Sequence, residues 1–536
     1  MINVDKILAE MTLKEKIAQM YLQYYQGYDD LPENLKELNR KNLLGGVIFF
    51  SGNNVRDIDQ LHNMTKKIQS YAKENKYNLP FLLTIDQEGG QLTAIFNGTT
   101  IFPGNMSMGF ANDENLAYLQ GKHVGKELKY AGINICYAPV LDVDYDVKDG
   151  VPVVDNRRFS TEPQVVADMG SSFIKGLEDE GILACGKHFP GMRITKVDTH
   201  FQVDRSPYDK ERLENVEILP FRKAIEKGVS CIMTHHGIFE ALDHEYPASL
   251  SKKILTYLRE DLGFQGLIVS DDLIMKAVLN EYGEKESIKL AINAGIDLII
   301  STCASEWFVD YVYDCVINGE IEQSKIEESV KRILEYKKKA NVGEIPDKKE
   351  YDSNYGKELS AKIAAKGLIL YKGNQEELPI RIDKEDKIGI ILGNPARLVM
   401  SDATNLYDIS LKDIIRKKGY HRNIKEAIMP WHPTDEEIIS LADVGIISDV
   451  LIFTTVNAYG FDRQIEVLKE FRKFCPTKKV ISIATRSPMD AKILAEYSDY
   501  VIITGGLTPS ILEGVSNAIF GKEKFEYNKA KEFFCR

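Results

Sequence analysis

The chain has 536 residues, 44% of them hydrophobic, which is more than one ordinary core organises, so two domains are expected. A formal net charge of -12, with no long Lys/Arg cluster, sets nucleic acid aside as a partner, because phosphate binding needs a basic face. No apolar run approaches a membrane span, and Met1-Ile2-Asn3-Val4-Asp5-Lys6 lacks an apolar core of leader length, so a cytoplasmic protein without a membrane partner is expected.

In chain order, Gly45–Phe50, Phe81–Ile85, Ile133–Val143, Ile182–Cys185, Cys231–Thr234, Leu267–Ser270 and Ile296–Ser301 read as strands. Amphipathic stretches such as Glu211–Lys227 and Lys252–Asp261 separate them. This alternation predicts a (β/α)8-type, TIM-like barrel over residues 1–340. The basic stretch Arg332–Lys339 reads as a solvated helix face. A polar, turn-rich linker is expected over 341–360, marked by Gly343, Pro346 and Asp347-Lys348-Lys349-Glu350. Beyond it, in 361–536, the apolar runs Ile388–Leu392, Val450–Thr455, Val480–Ala484 and Tyr500–Thr504 predict a doubly wound α/β sandwich domain. The pair Gly505-Gly506 does not complete a dinucleotide fingerprint.

The seven cysteines occur singly, without Cys-x-x-Cys spacing, which fits buried thiols in a reducing compartment. The adjacent His235-His236 lack helical ligand spacing, so neither a metal nor another cofactor is expected. Oligomeric state is left open.

Chemistry gathers where the predicted strands end. Ile182–Cys185 leads into Lys187-His188-Phe189-Pro190-Gly191, with Asp198-Thr199-His200 close behind. Leu267–Ser270 stops at Asp271-Asp272, two carboxylates that strand alternation should aim in different directions. Phe81–Ile85 ends in Asp86-Gln87-Glu88-Gly89-Gly90, and Cys231–Thr234 ends in His235-His236. Strands that all deliver acid, amide or imidazole groups at their carboxyl ends fit one shared site, as in parallel α/β folds.

These segments, with Asn156-Arg157-Arg158-Phe159, Phe102-Pro103-Gly104, Ala138–Val143 and Met11–Met20, resemble family 3 of the glycoside hydrolases in order and spacing, and within it the N-acetyl-β-glucosaminidase branch. The resemblance implies a retaining double displacement in which Asp271 is the nucleophile and His200, oriented by Asp198, is the acid/base. Imidazole suits that task because it titrates near neutrality, and a carboxylate partner fixes its tautomer. The resemblance further implies that Asp86, Arg157, Lys187 and His188 bind sugar hydroxyls, as charged donors and acceptors can. The chain departs from the family pattern at Met192-Arg193-Ile194-Thr195, where His-Gly-Asp-Thr is usual, and at Gln91 and Ala94, where arginines are usual.

The leading expectation is an exo-acting β-N-acetylglucosaminidase whose partner is a small saccharide with a terminal β-linked amino sugar. A phosphorylase or β-glucosidase on the same scaffold is the first alternative, since imidazole need not repel an incoming phosphate as a carboxylate does. A non-catalytic sugar-binding protein is the second, and the joint presence of Asp271, Asp198 and His200 argues against it.

Overall fold

A computed structural model of the chain describes residues 2–144, 156–191, 203–301, 307–395 and 409–521. Eight parallel strands form the first sheet: β1 Tyr21–Gln23, β2 Gly46–Phe49, β3 Leu82–Ile85, β4 Ile135–Cys136, β5 Leu183–Phe189, β6 Cys231–Thr234, β7 Leu267–Ser270 and β8 Ile299–Ile300. Their order is β7-β6-β5-β4-β3-β2-β1-β8, and a parallel bridge between Val269 and Leu298 closes the ring. Every residue of β1 to β8 is buried, as expected of barrel strands lined by side chains inside and covered by helices outside.

The strand expectations hold with a few differences, among them the shortening of Ile296–Ser301 to Ile299–Ile300. Ile133–Val143 forms a continuous strand only at Ile135–Cys136 and touches β5 again through a single parallel bridge from Val140 to Lys187, because Pro139 between them cannot donate to the ladder. β5 runs on to Phe189 and takes Lys187 and His188 into the barrel wall. β1 was not anticipated: it follows the helix Leu13–Gln19 almost without a break, so its three residues continue a helical pattern in the sequence. Cys136, Cys185 and Cys231 lie on β4, β5 and β6 as buried free thiols.

The second sheet has six strands: β9 Ile369–Lys372, β10 Ile388–Gly393, β11 Ile424–Met429, β12 Val450–Thr455, β13 Lys479–Ala484 and β14 Tyr500–Ile503. The order is β9-β14-β13-β12-β10-β11, with β9 antiparallel and the rest parallel. β9 and β11, which the sequence did not mark, are the edge strands, where half-exposed residues blur the apolar signal.

The stretch expected to be linker over 341–360 is helical from Ser353, as part of the helix Ser353–Lys366, capped by Asp352. Leu359 and Ile363 of this helix join the barrel-side core, and Ala364 joins the core of the second sheet. In the other direction, Met106 and Phe110 of the barrel-side helix Asn105–Ala111 pack inside the second core. The two sheets therefore share packed apolar surface.

Lys337 also departs from the solvated face expected over Arg332–Lys339. Its ammonium is buried under the barrel's amino-terminal end, donating to Gln19 Oε1 at 2.8 Å and to the Gly45 carbonyl at 3.0 Å. Burial pushes its pKa down to about 7. Among the described residues, no helix is long and apolar enough to cross a membrane.

Candidate active site

The carboxyl ends of β3 to β7 converge on one cluster. Asp86 follows β3 directly, Arg157 lies on the segment after β4, Lys187 and His188 lie just before the end of β5, His235 and His236 follow β6, and Asp271 follows β7. Consecutive residues of a regular strand face opposite ways, yet Lys187 and His188 both reach site partners. The β5–β6 register shifts between Lys187 and Phe189, and such an irregularity re-aims side chains.

Lys187 Nζ lies 2.6 Å from Asp86 Oδ1 and 2.6 Å from Glu88 Oε1. Arg157 grips the same Glu88 with both arms, Nε and Nη2 each donating at 2.8 Å. This fork geometry fixes the guanidinium plane. Glu88 and Lys187 keep only 1% and 2% of their side chains exposed, against 12% for Arg157 and 22% for Asp86. Asp86 and Arg157 thus present the wet edge of the cluster, and Glu88 sits behind them as the shared counter-charge.

The electrostatics follow from that arrangement. Burial works to raise the Glu88 carboxyl, but Arg157 and Lys187 outweigh it and hold its pKa at about 2. Burial likewise works against the Lys187 ammonium, and Asp86 and Glu88 overcome it, keeping it charged well above the ordinary lysine value.

Glu88 is carried by a tight hairpin, Gln87–Gly89 against Leu92–Thr93. Gln87 pins the hairpin by exchanging two hydrogen bonds with the backbone of Ile95, at 2.9 and 3.2 Å. Gly90, at φ 60°, lets the turn press against Gly104, whose Cα would lie 2.8 Å from any Cβ added here. The Arg157 segment is held from both sides. Asn105 Nδ2 donates to the Arg157 carbonyl at 2.7 Å, and Asn156 Nδ2 reaches the Gly505 carbonyl of the second domain at 3.4 Å. The second domain thus buttresses a loop that carries a site residue.

His188 is oriented by Asp142, which accepts from its backbone N–H at 3.0 Å and pairs with Nδ1 at 2.8 Å. Asp271 remains partly exposed, and its Oδ1 accepts the Asp272 N–H at 2.8 Å. Its dense surroundings work to raise its pKa, but His236, His188, the Asp272 N–H and Lys187 together hold it below the ordinary aspartate value. The neighbouring Asp272 does a different job: its Oδ1 accepts from the Ile274 N–H at 3.2 Å, and its carbonyl lies 3.0 Å from His236 Nε2. Asp271 thus lies beside Lys187, His188 and His236, while Asp272 is tied into the following turn.

Asp86, Arg157, Lys187, His188 and Asp271 are therefore gathered at one end of the barrel, while Asp198 and His200 lie outside the described residues. Sequence reasoning overlooked Glu88 and Asp142. Glu88 could have been suspected as a second acid two residues after Asp86. Asp142 offered only a carboxylate at the close of an apolar run.

Residues 12–336 match the model of the glycosyl hydrolase family 3 N terminal domain. A protein named beta-hexosaminidase A from Pseudoalteromonas piscicida is 32% identical over 335 residues, which are 58% of this chain and 56% of that protein, so the chain spans little more than half of that relative's length. A beta-hexosaminidase from Nitrosomonas eutropha is 34% identical over 264 residues, covering 48% of this chain and 73% of the relative. Among solved structures, a glycoside hydrolase family 3 beta-N-acetylglucosaminidase from Paenibacillus sp. str. FPU-7 superposes with a TM-score of 0.88 at 28% identity, covering 97% of this chain and 98% of that one. With the family match spanning more than half its length and the strand-end cluster inside the matched region, the chain belongs to glycosyl hydrolase family 3.

Proposed function

We propose that the protein is a retaining, exo-acting β-N-acetylglucosaminidase that removes a terminal β-linked amino sugar from small saccharides. The observation that carries the reading is Asp271, a carboxylate held ionised at the end of β7 and facing the strand ends that present Asp86, Arg157, Lys187 and His188. In this reading Asp271 attacks the anomeric carbon and water later releases the glycosyl-enzyme. Asp86 and Arg157 take sugar hydroxyls at the wet edge of the cluster, with Lys187 and His188 completing the pocket. The sugar preference draws support from the likeness to a solved beta-N-acetylglucosaminidase along nearly the whole chain. The proton carrier is His200, oriented by Asp198, a role that rests on the Asp198-Thr199-His200 spacing.

The direct test is hydrolysis of a panel of nitrophenyl β-glycosides in buffers with and without phosphate. Turnover of the N-acetylglucosaminide with release of the β-anomer of the free sugar supports the proposal. Preference for the glucoside, or formation of a sugar phosphate, would replace it with the β-glucosidase or phosphorylase reading.

His200→Ala is expected to lose most on substrates with poor leaving groups, which need protonation, and least in glycosylation by an activated nitrophenyl glycoside. Added azide should then accelerate the second step and give the β-glycosyl azide, since two inversions give net retention. Equal losses for good and poor leaving groups, without azide rescue, would move the acid/base role to another residue.

A further inference from the structure

His235 is absent from the proposed machinery, although it stands at the end of β6 beside it. The residue is 3% exposed. Its ring lies 6.4 Å from that of His188, edge to face, and its electrostatic neighbours are His188, Asp142, His236 and Asp271. The ring folds back over Gly237, where an added Cβ would come within 2.6 Å of Nδ1, so the position after His236 has room only for glycine. That fold-back has a chemical consequence. The Gly237 N–H donates to His235 Nδ1 at 2.9 Å, so Nδ1 carries the lone pair and the ring proton resides on Nε2.

Nε2 is buried and has no hydrogen-bond partner among the described residues. A buried N–H left unmatched is costly, and such groups call for an explanation. Burial, with the neighbouring His188 adding to it, pushes the pKa of the ring down to about 3, so it is uncharged throughout the neutral range. It therefore offers one fixed, neutral donor and no exchangeable charge.

We infer that His235 is a specificity-determining residue whose Nε2–H donates a hydrogen bond to an oxygen substituent of the sugar bound against Asp271. The inference rests on the glycosidase reading above and adds a contact to it. A neutral donor suits a hydroxyl or amide carbonyl, and it adds an uncharged contact beside the charged Lys187 and Arg157, which are anchored on Glu88. It also discriminates well, because a substrate lacking the acceptor leaves the N–H unmatched in a dry site.

The test compares wild type, His235→Phe and His235→Gln. Phenylalanine removes both ring nitrogens, whereas glutamine supplies an amide with an N–H donor and an acceptor oxygen, and the analogue series separates loss of the donor to the sugar from loss of the Gly237 contact. The substrates are the nitrophenyl β-glucoside, the N-acetylglucosaminide and the monodeoxy counterparts at each ring hydroxyl. Binding of free N-acetylglucosamine and glucose, followed by calorimetry in the same proteins, makes the comparison without turnover. His235→Phe is expected to lose about tenfold to a hundredfold in kcat/KM or affinity, with His235→Gln recovering most of it. The loss should vanish for the one analogue that lacks the accepted oxygen, and the pH profile should keep its shape because the ring is neutral. Overturning results are no loss in His235→Phe, an equal loss across every analogue, or equal behaviour of the two variants. Wild type that neither cleaves nor binds the amino sugar but handles the glucoside would sink the substrate proposal, leaving the His235 comparison to be read on glucose.

Discussion

Asp271→Asn or Asp271→Ala is expected to cut kcat/KM by about a thousandfold or more while the protein stays folded, because either change removes the carboxylate that forms the covalent intermediate. The side chain sits at a turn with its oxygen on the Asp272 N–H, so asparagine can keep that contact and the loss is chemical. A mechanism-based fluorosugar should label wild type at Asp271, located by mass spectrometry of the peptide spanning residues 267–275. With an activated nitrophenyl glycoside, azide should partly rescue Asp271→Ala and give the α-glycosyl azide, the product of a single inversion. That outcome is opposite in configuration to the one expected for His200→Ala, so the pair of products assigns the two roles independently. His236, His188 and Lys187 hold the carboxyl below its ordinary value, so it stays ionised as pH falls, and the acidic limb of kcat/KM should arise elsewhere. Labelling of Asp272, with Asp271→Ala still active, would reverse the assignment.

What the sequence disclosed about this site follows from how its residues are delivered. Asp86, Asp271 and the Lys187-His188 pair were legible because each follows an apolar run that stops abruptly, which is how a barrel strand presents chemistry at its carboxyl end. The same logic exposed most barrel strands and the core of the second sheet. It failed for β1, whose Tyr21-Leu22-Gln23 continues the helical pattern of Leu13–Gln19, and for the half-exposed edges β9 and β11. It failed differently for Glu88 and Asp142. Their importance lies in pairings across 99 residues to Lys187 and 46 residues to His188, which no local period encodes. The buttress from Gly505 to Asn156 was hidden for the same reason, since it joins segments 349 residues apart. His235 was visible as a motif, but its meaning was not: the tautomer depends on a backbone N–H two residues on and on a ring that folds back over glycine.

Removing Glu88 is expected to be the most destabilising single change in the site, by about 3–5 kcal/mol for Glu88→Ala or Glu88→Gln, because two buried cations would lose their common partner. Arg157 would lose both arms of its fork, and Lys187 would keep only Asp86, whose side chain is the more exposed of its two carboxylate partners. The pH dependence of stability carries a matching signature. Glu88 is depressed from 4.5 to about 2, so its contribution is complete above pH 4.5 and drains away as pH falls toward 2. Denaturant melts of wild type should steepen in that acid window, and Glu88→Gln should flatten the slope. The double variant Glu88→Gln with Lys187→Met should be less destabilised than the sum of its parts, since it removes a buried cation together with its counter-charge. Kinetically, Glu88→Gln should raise KM more than it lowers kcat if Arg157 and Lys187 act mainly in holding the sugar. Additive losses in the cycle, with an unchanged acid slope, would show that Glu88 is not the charge around which the cluster is built.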